Sequence, residues 1–160
     1  MAMTMPVEGL DKVSAMLNRL GDQAENVAAR ALYDGAGVMA DAYSDAVNSI
    51  QTDKFRYAFN GHKRSVSPEE KAALQGKIGI AKFDKNGSEV NTAVGVSGGG
   101  YVQIAGKQKA VRMLVNAINS GTSFMNKQPV FRKAARTAAG PASAAIVAKA
   151  DELFNKIINE

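Results

Sequence analysis

The sequence predicts an α+β domain: a long N-terminal helix, a central antiparallel β-hairpin or small sheet, and a C-terminal helix packed on that sheet. Three observations carry this reading. Apolar and small residues recur at three- and four-residue steps from Leu10 to Ala42, Asn86-Gly87 lies between two strand-like runs, and a second helical pattern opens at Gln128-Pro129. At 160 residues the chain is long enough for one modest core, so residues 1–160 are read as a single domain.

The first helix follows from the positions Leu10, Val13, Leu17, Leu20, Ala24, Val27, Ala31, Val38 and Ala42. One seven-residue step across Asp34 interrupts an otherwise helical stripe. The stripe is rich in alanine, which favours an ordinary core-covering helix over a coiled-coil seam. Gly21, Gly35 and Gly37 each cost about 1 kcal/mol relative to alanine, so each marks a bend or close packing. Residues 51–66 break the period and read as a flexible loop. Ser67-Pro68-Glu69-Glu70 then starts a short helix, with serine as cap, proline in the first turn and Glu70 closing a capping box. It should end near Gly76.

The hairpin pairs KIGIAKFD with SEVNTAVGV around Asn86-Gly87. A two-residue turn there would set Phe83 opposite Val90 and Lys82 opposite Asn91. Gly98-Gly99-Gly100 gives a pliable connection into Tyr101–Ile104, a candidate third strand, and residues 97–108 as a whole read as a second flexible loop. A helix is expected over Lys109–Asn119, with Val111, Leu114, Val115 and Ile118 on one face and Gly121 beyond its end. The last helix starts at Gln128-Pro129-Val130-Phe131 and is expected to bend at Gly140-Pro141.

Composition removes several function classes. There is no cysteine, which excludes disulfides, thiol nucleophiles and cysteine-ligated metals. No apolar run approaches the roughly 18 residues that span a bilayer, so no membrane partner is expected. The start MAMTMPVEGL shows no basic patch leading into an apolar stretch, so no secretion signal is expected and a bacterial cytoplasm is the natural setting. His62 is the sole histidine and sits among Gly61, Lys63 and Arg64, where a solvated loop histidine is the simple reading. The segment from Gly100 to Gln108 imitates a phosphate-binding loop but has five residues between its glycines and Gln108 in place of Ser or Thr. No catalytic residue, metal ligand or cofactor site is assigned. The chain is not expected to be an enzyme.

Charge is informative. Residues 1–53 carry three basic and eight acidic side chains, residues 54–140 carry fifteen basic and four acidic ones, and the whole chain stands at +5. Either the two regions neutralise each other within one molecule, or an acidic helix of one copy meets the basic middle of the next. The densest polar cluster is Lys54, Phe55, Arg56, Tyr57, Phe59, His62, Lys63 and Arg64. Such a loop can neutralise phosphates and stack on bases, or anchor its aromatics in its own core. Among residues 51–66 only Asp53 is acidic, so these cations are expected to face solvent or a partner; the interleaved rings favour a protein neighbour. Arg132 and Arg136, on one face of the last helix, join Lys54, Phe55, Arg56, Tyr57, Phe59, Lys63 and Arg64 as candidate partner-binding residues.

Asn119-Ser120-Gly121-Thr122-Ser123 followed by Gln128-Pro129-Val130-Phe131-Arg132-Lys133-Ala134-Ala135 resembles the tail-completion, or neck, family of long-tailed bacteriophages. Members show a Gly-Thr turn shortly before a Gln-Pro-hydrophobic-Phe/Leu-Arg-x-Ala helix start, and an alanine-rich first helix like the one beginning near Gly9-Leu10. The likeness covers roughly the first fifty and last fifty residues. Residues 51–66 depart from it, lacking the family's Pro-x-x-Thr-Gly-x-Leu segment. The resemblance implies a structural virion protein that forms a homo-oligomeric ring at the head–tail junction. Its partners would be further copies, other neck, connector or tail-tube proteins and, transiently, the passing phage DNA. No cofactor is implied. The alternative is a small basic DNA-binding or architectural protein, supported by the basic middle and the aromatic–basic loop.

Overall fold

Alanine-rich sequence at both ends of the chain folds into two long helices that lie side by side. A computed structural model describes residues 10–54, 60–86, 89–96 and 100–159. In chain order the elements are α1 (Leu10–Ser49), α2 (Pro68–Leu74), β1 (Ile78–Ile80), β2 (Asp84–Asn86), β3 (Glu89–Asn91), β4 (Val94–Val96), β5 (Tyr101–Ile104), β6 (Lys107–Ala110), α3 (Val111–Ser120) and α4 (Val130–Asn159). The fold is α+β, as expected.

The 40 residues of α1 run for about 60 Å. Against them α4 packs antiparallel: Ser49 and Val130 share one end of the pair, Gln23 and Ile157 the other. Small residues permit this. Ala31, Ala36, Ala46, Ala138 and Ala142 are buried. Gly35 is the tightest point, where an added Cβ would overlap Ile146 Cγ1 and lie 3.0 Å from the Ala142 carbonyl. Gly35 also fills the gap in the sequence stripe, since Ala31, Gly35, Val38 and Ala42 keep the helical step unbroken. Among the described side chains of the stripe Val27 and Ala31 are buried, whereas Leu17 is 61% exposed, because α4 ends beside Gln23–Val27.

The last helix therefore packs on α1, where the sheet was expected to be its partner. Two alanine-rich faces approach each other along α4, whereas the β structure among the described residues is three two-stranded ladders, each too small to cover thirty residues of helix. The ladders dock on α1, α2 and α3 instead. Pro141 lies inside α4, which continues through it as one helix.

The hairpin forms with a shifted register. Asp84 faces Asn91, Lys85 faces Val90 and Asn86 faces Glu89 in β2–β3, so Phe83 does not face Val90 nor Lys82 face Asn91. The connecting residues 87 and 88 lie outside the described residues. Closer to the core, β1 and β4 pair Ile78 with Val96 and Ile80 with Val94. Between the two ladders three residues (81–83) face two (92–93), a one-residue bulge. It is held by Ala81 N–H donating to Ala93 O at 2.7 Å and by Thr92 Oγ1 donating to Ala81 O at 2.9 Å.

Tyr101–Ile104 is a strand, and residues 101–108 are not a loop. They form β5, a turn and the start of β6, with Ala105 at φ 53° and Gly106 at φ 76°. Two consecutive left-handed residues match the twist of the flanking strands. The following helix consequently starts at Val111, not Lys109. Gly121, at φ 76°, ends it as expected.

The core gathers where α1 ends and α4 begins. Val47, Ile50, Val66, Leu74, Val102, Ile104, Val111, Leu114, Ile118, Met125 and Phe131 pack there. Phe131 meets Tyr43 edge-on at 6.1 Å, tying the two long helices to the β-containing head.

Candidate functional site: a basic loop and the polar network at its base

Between α1 and α2 the described residues 50–54 and 60–67 belong to no helix or strand, yet the base of this loop is held at many points. Thr52 bridges Val66 and Arg64 bridges Met125. Asp53 N–H donates to Val66 O, Arg64 N–H to Phe124 O, and Asn126 N–H to Arg64 O, at 2.8–2.9 Å. Gln128 completes the attachment with its side chain. Its Oε1 accepts from the Gln51 N–H, and its Nε2 donates to Gln51 O and to Ser65 Oγ, each at 2.9 Å. A side-chain amide thus satisfies a loop backbone as a neighbouring strand would. Asn126 Nδ2 adds a bond to Lys63 O at 3.1 Å.

Below the loop lies Glu70, at position N3 of α2 and 2% exposed. The expected capping box is present: Glu70 N–H donates to Ser67 Oγ and Ser67 N–H donates to Glu70 Oε2. The same carboxylate takes a two-pronged pair from Arg64, 2.7 Å to Oε2 and 2.9 Å to Oε1, and a third cationic bond from Lys109 at 2.9 Å. Burial alone would raise the carboxyl pKa. The bonds from Arg64, the Ser67 N–H and Lys109 outweigh it, and hold the group at about 2 against an ordinary 4.5.

Arg64 therefore has its acidic partner within its own chain. The sequence offered it no acid within residues 51–66 except Asp53, but its partner lies six residues on, in α2, where the chain turns back beneath the loop. Lys54 and Lys63 are exposed, as are Arg132 and Arg136 on α4; none of the four makes an ion pair among the described residues. Phe55, Arg56, Tyr57 and Phe59 lie outside the described residues. Arg132 N–H approaches Asn119 Oδ1 at 3.4 Å, so the loop base and the start of α4 share one end of the molecule.

The Glu70 network was half visible in sequence. Its capping box is local, while Lys109 joins from 39 residues away through the β5–β6 hairpin. A second feature had no sequence signal. Between α1 and α4 runs an open groove of about 600 Å³, floored by Val38, Ala42, Ala134, Ala138 and Pro141 and edged by Asp41, Asp45 and Lys133. Among the described residues no cluster of metal-ligating side chains occurs, and no helix is long and apolar enough to cross a membrane.

No protein-family model, curated protein or solved structure matches this chain.

Proposed function

We propose that this chain is a structural virion protein of a tailed phage, one subunit of a homo-oligomeric ring at the head–tail junction. The ring would join the connector to the tail tube and let DNA pass. The observation that carries the reading is the segregation of charge along the molecule. Asp22, Asp34, Asp41 and Asp45 outnumber Arg19 and Arg30 among the exposed charges of α1, while Lys54, Lys63, Lys107, Arg112 and Lys127 are exposed on the head and Arg132, Lys133 and Arg136 at the head end of α4. Copies related by rotation would bring head against α1, a heterologous contact that makes a ring where the rotation closes. The Gln-Pro-Val-Phe segment that carries the family likeness supports the same reading. Gln128 holds the basic loop and Phe131 enters the core beside it.

The test is assembly. Purified chain should sediment as a closed oligomer and appear as rings by electron microscopy. Replacing Lys54, Arg56 and Lys63 with Ser should give folded subunits that leave heads and tails unjoined; Arg64 is spared because Glu70 needs it. Joined particles containing that variant would overturn the assignment of the loop.

One observation favours a second reading, a small DNA-binding or architectural protein: Lys54, Lys63, Arg132 and Arg136 lack acidic partners among the described residues. If the Ser variant assembles normally but loses DNA binding that weakens steeply with salt, this second reading replaces the first.

A further inference from the structure

We infer that the groove between α1 and α4 is the socket for the Lys54–Phe59 segment of a second copy of this chain. The inference rests on the ring reading and names its contact. The groove is open along about three turns of helix, and its floor is apolar. Asp41 and Asp45 stand on the α1 edge one turn apart, exposed, with no ion-pair partner among the described residues. Like charges at that spacing repel within an isolated helix and gain most from a cation brought between them. Lys133, on the α4 edge, is the single cation lining the groove; below it that edge continues with uncharged Thr137.

The sequence Lys54-Phe55-Arg56-Tyr57-Ala58-Phe59 alternates cations and rings. Rings suit an alanine-floored trough, and flanking cations suit its acidic edge. Aromatic anchors ringed by charge are the usual composition of an interface centre.

A copy's own segment is too short for the whole groove. Five residues separate Lys54 from Asn60, so out-and-back travel reaches about 10 Å. From Ser49 to Val38 the groove runs eleven helical residues, about 16 Å. Asp41 lies eight helical residues, about 12 Å, from Ser49, so a neighbouring molecule is the occupant whose backbone and rings can lie along the whole floor.

The experiment uses the full chain in sedimentation velocity over a range of concentrations. Wild type associates. Asp41→Lys with Asp45→Lys, and separately Lys54→Glu with Arg56→Glu, keep a wild-type circular dichroism spectrum and weaken association about tenfold or more, equivalent to about 1.4 kcal/mol. Mixed in equal amounts the two variants associate again, since each restores the charge the other has reversed. A groove variant that still associates like wild type overturns the socket and leaves the ring reading standing. A wild type that stays monomeric throughout overturns both.

Cross-linking guards against a variant that fails to fold. The chain has no cysteine, so Thr137→Cys and Tyr57→Cys each introduce the sole thiol. Oxidising a mixture of the two should give a disulfide-linked heterodimer. If no heterodimer forms, or the doubly substituted chain links only within itself, the second-copy occupant is wrong.

Discussion

The two halves of the molecule are held by different physics. The shaft, α1 against α4, is assembled by shape: alanines and Gly35 let two helices approach until backbone and side chain touch. The head is assembled by polar satisfaction around a small core. Gln128, Asn126, Ser67 and Glu70 hold loops in place that no extended sheet could hold, because each ladder has only two strands. The difference teaches where the chain tolerates change. A shaft position fails by volume, and a head position fails by leaving a buried donor or acceptor alone.

Phe131 belongs to both halves and should show the largest effect. It is 8% exposed, packs in the head core and meets Tyr43 of α1. Phe131→Ala is expected to cost about 3–5 kcal/mol, a large share of the 5–15 kcal/mol typical of a domain. Chemical denaturation followed by circular dichroism measures it. A loss below about 1 kcal/mol would mean that the shaft and head do not depend on this ring.

Glu70 tests the head alone. Its carboxyl is held at about 2, below the ordinary 4.5, so the network stabilises the fold fully above that ordinary value. The contribution is lost as pH falls from about 5 toward 2. Glu70→Gln should lower stability near neutral pH by up to about 3 kcal/mol and flatten the acid dependence in that window. Arg64→Gln should remove part of the same dependence. An unchanged acid profile in Glu70→Gln would show that the network does not stabilise the head.

Legibility in sequence followed the same division. Local signals were readable: the Ser67–Glu70 capping box, the stop at Gly121 and the hairpin itself are each decided within a few residues. The register of that hairpin was not, because Asn86 pairs with Glu89 as part of the ladder, so the chain reverses one residue later than Asn86-Gly87 suggests, and the bulge at residues 81–83 then offsets β1–β4 from β2–β3. The β5–β6 turn was missed since Ala105-Gly106 lacks the Asn-Gly signature, although both residues take the positive φ that such a turn requires. Arg64 was assigned to a partner because its acid sits in the next element, and a sequence window ending at Val66 stops short of Glu70. The partner of α4 was misread for a related reason. Alanine and glycine carry little hydrophobic signal, so their use as close-packing surfaces emerges only when two such faces meet. Of the candidate site, the exposed Lys54, Lys63, Arg132 and Arg136 were legible, and the α1–α4 groove was not, because it belongs to neither helix alone.

The smallest effects discriminate most finely within the shaft, where three glycines look alike in sequence. Helix propensity alone says that Gly21→Ala, Gly35→Ala and Gly37→Ala should each stabilise by up to about 1 kcal/mol. The surroundings divide them. An added Cβ at Gly21 or Gly37 meets nothing within 4 Å, so the propensity gain should appear in full. At Gly35 the same methyl must displace Ile146 and crowd the Ala142 carbonyl, a strain of about 1–3 kcal/mol that exceeds the gain. Gly35→Ala should therefore be less stable than wild type by about 1 kcal/mol while its two neighbours are more stable, read as denaturant midpoints at unchanged slope. Combining Gly35→Ala with Ile146→Val should recover part of the loss, since one of the two clashing groups, the Cδ1 methyl, is gone while Cγ1 remains. Equal stabilisation by all three alanines would mean the helices do not touch at Gly35, and the close-packed shaft would have to be abandoned.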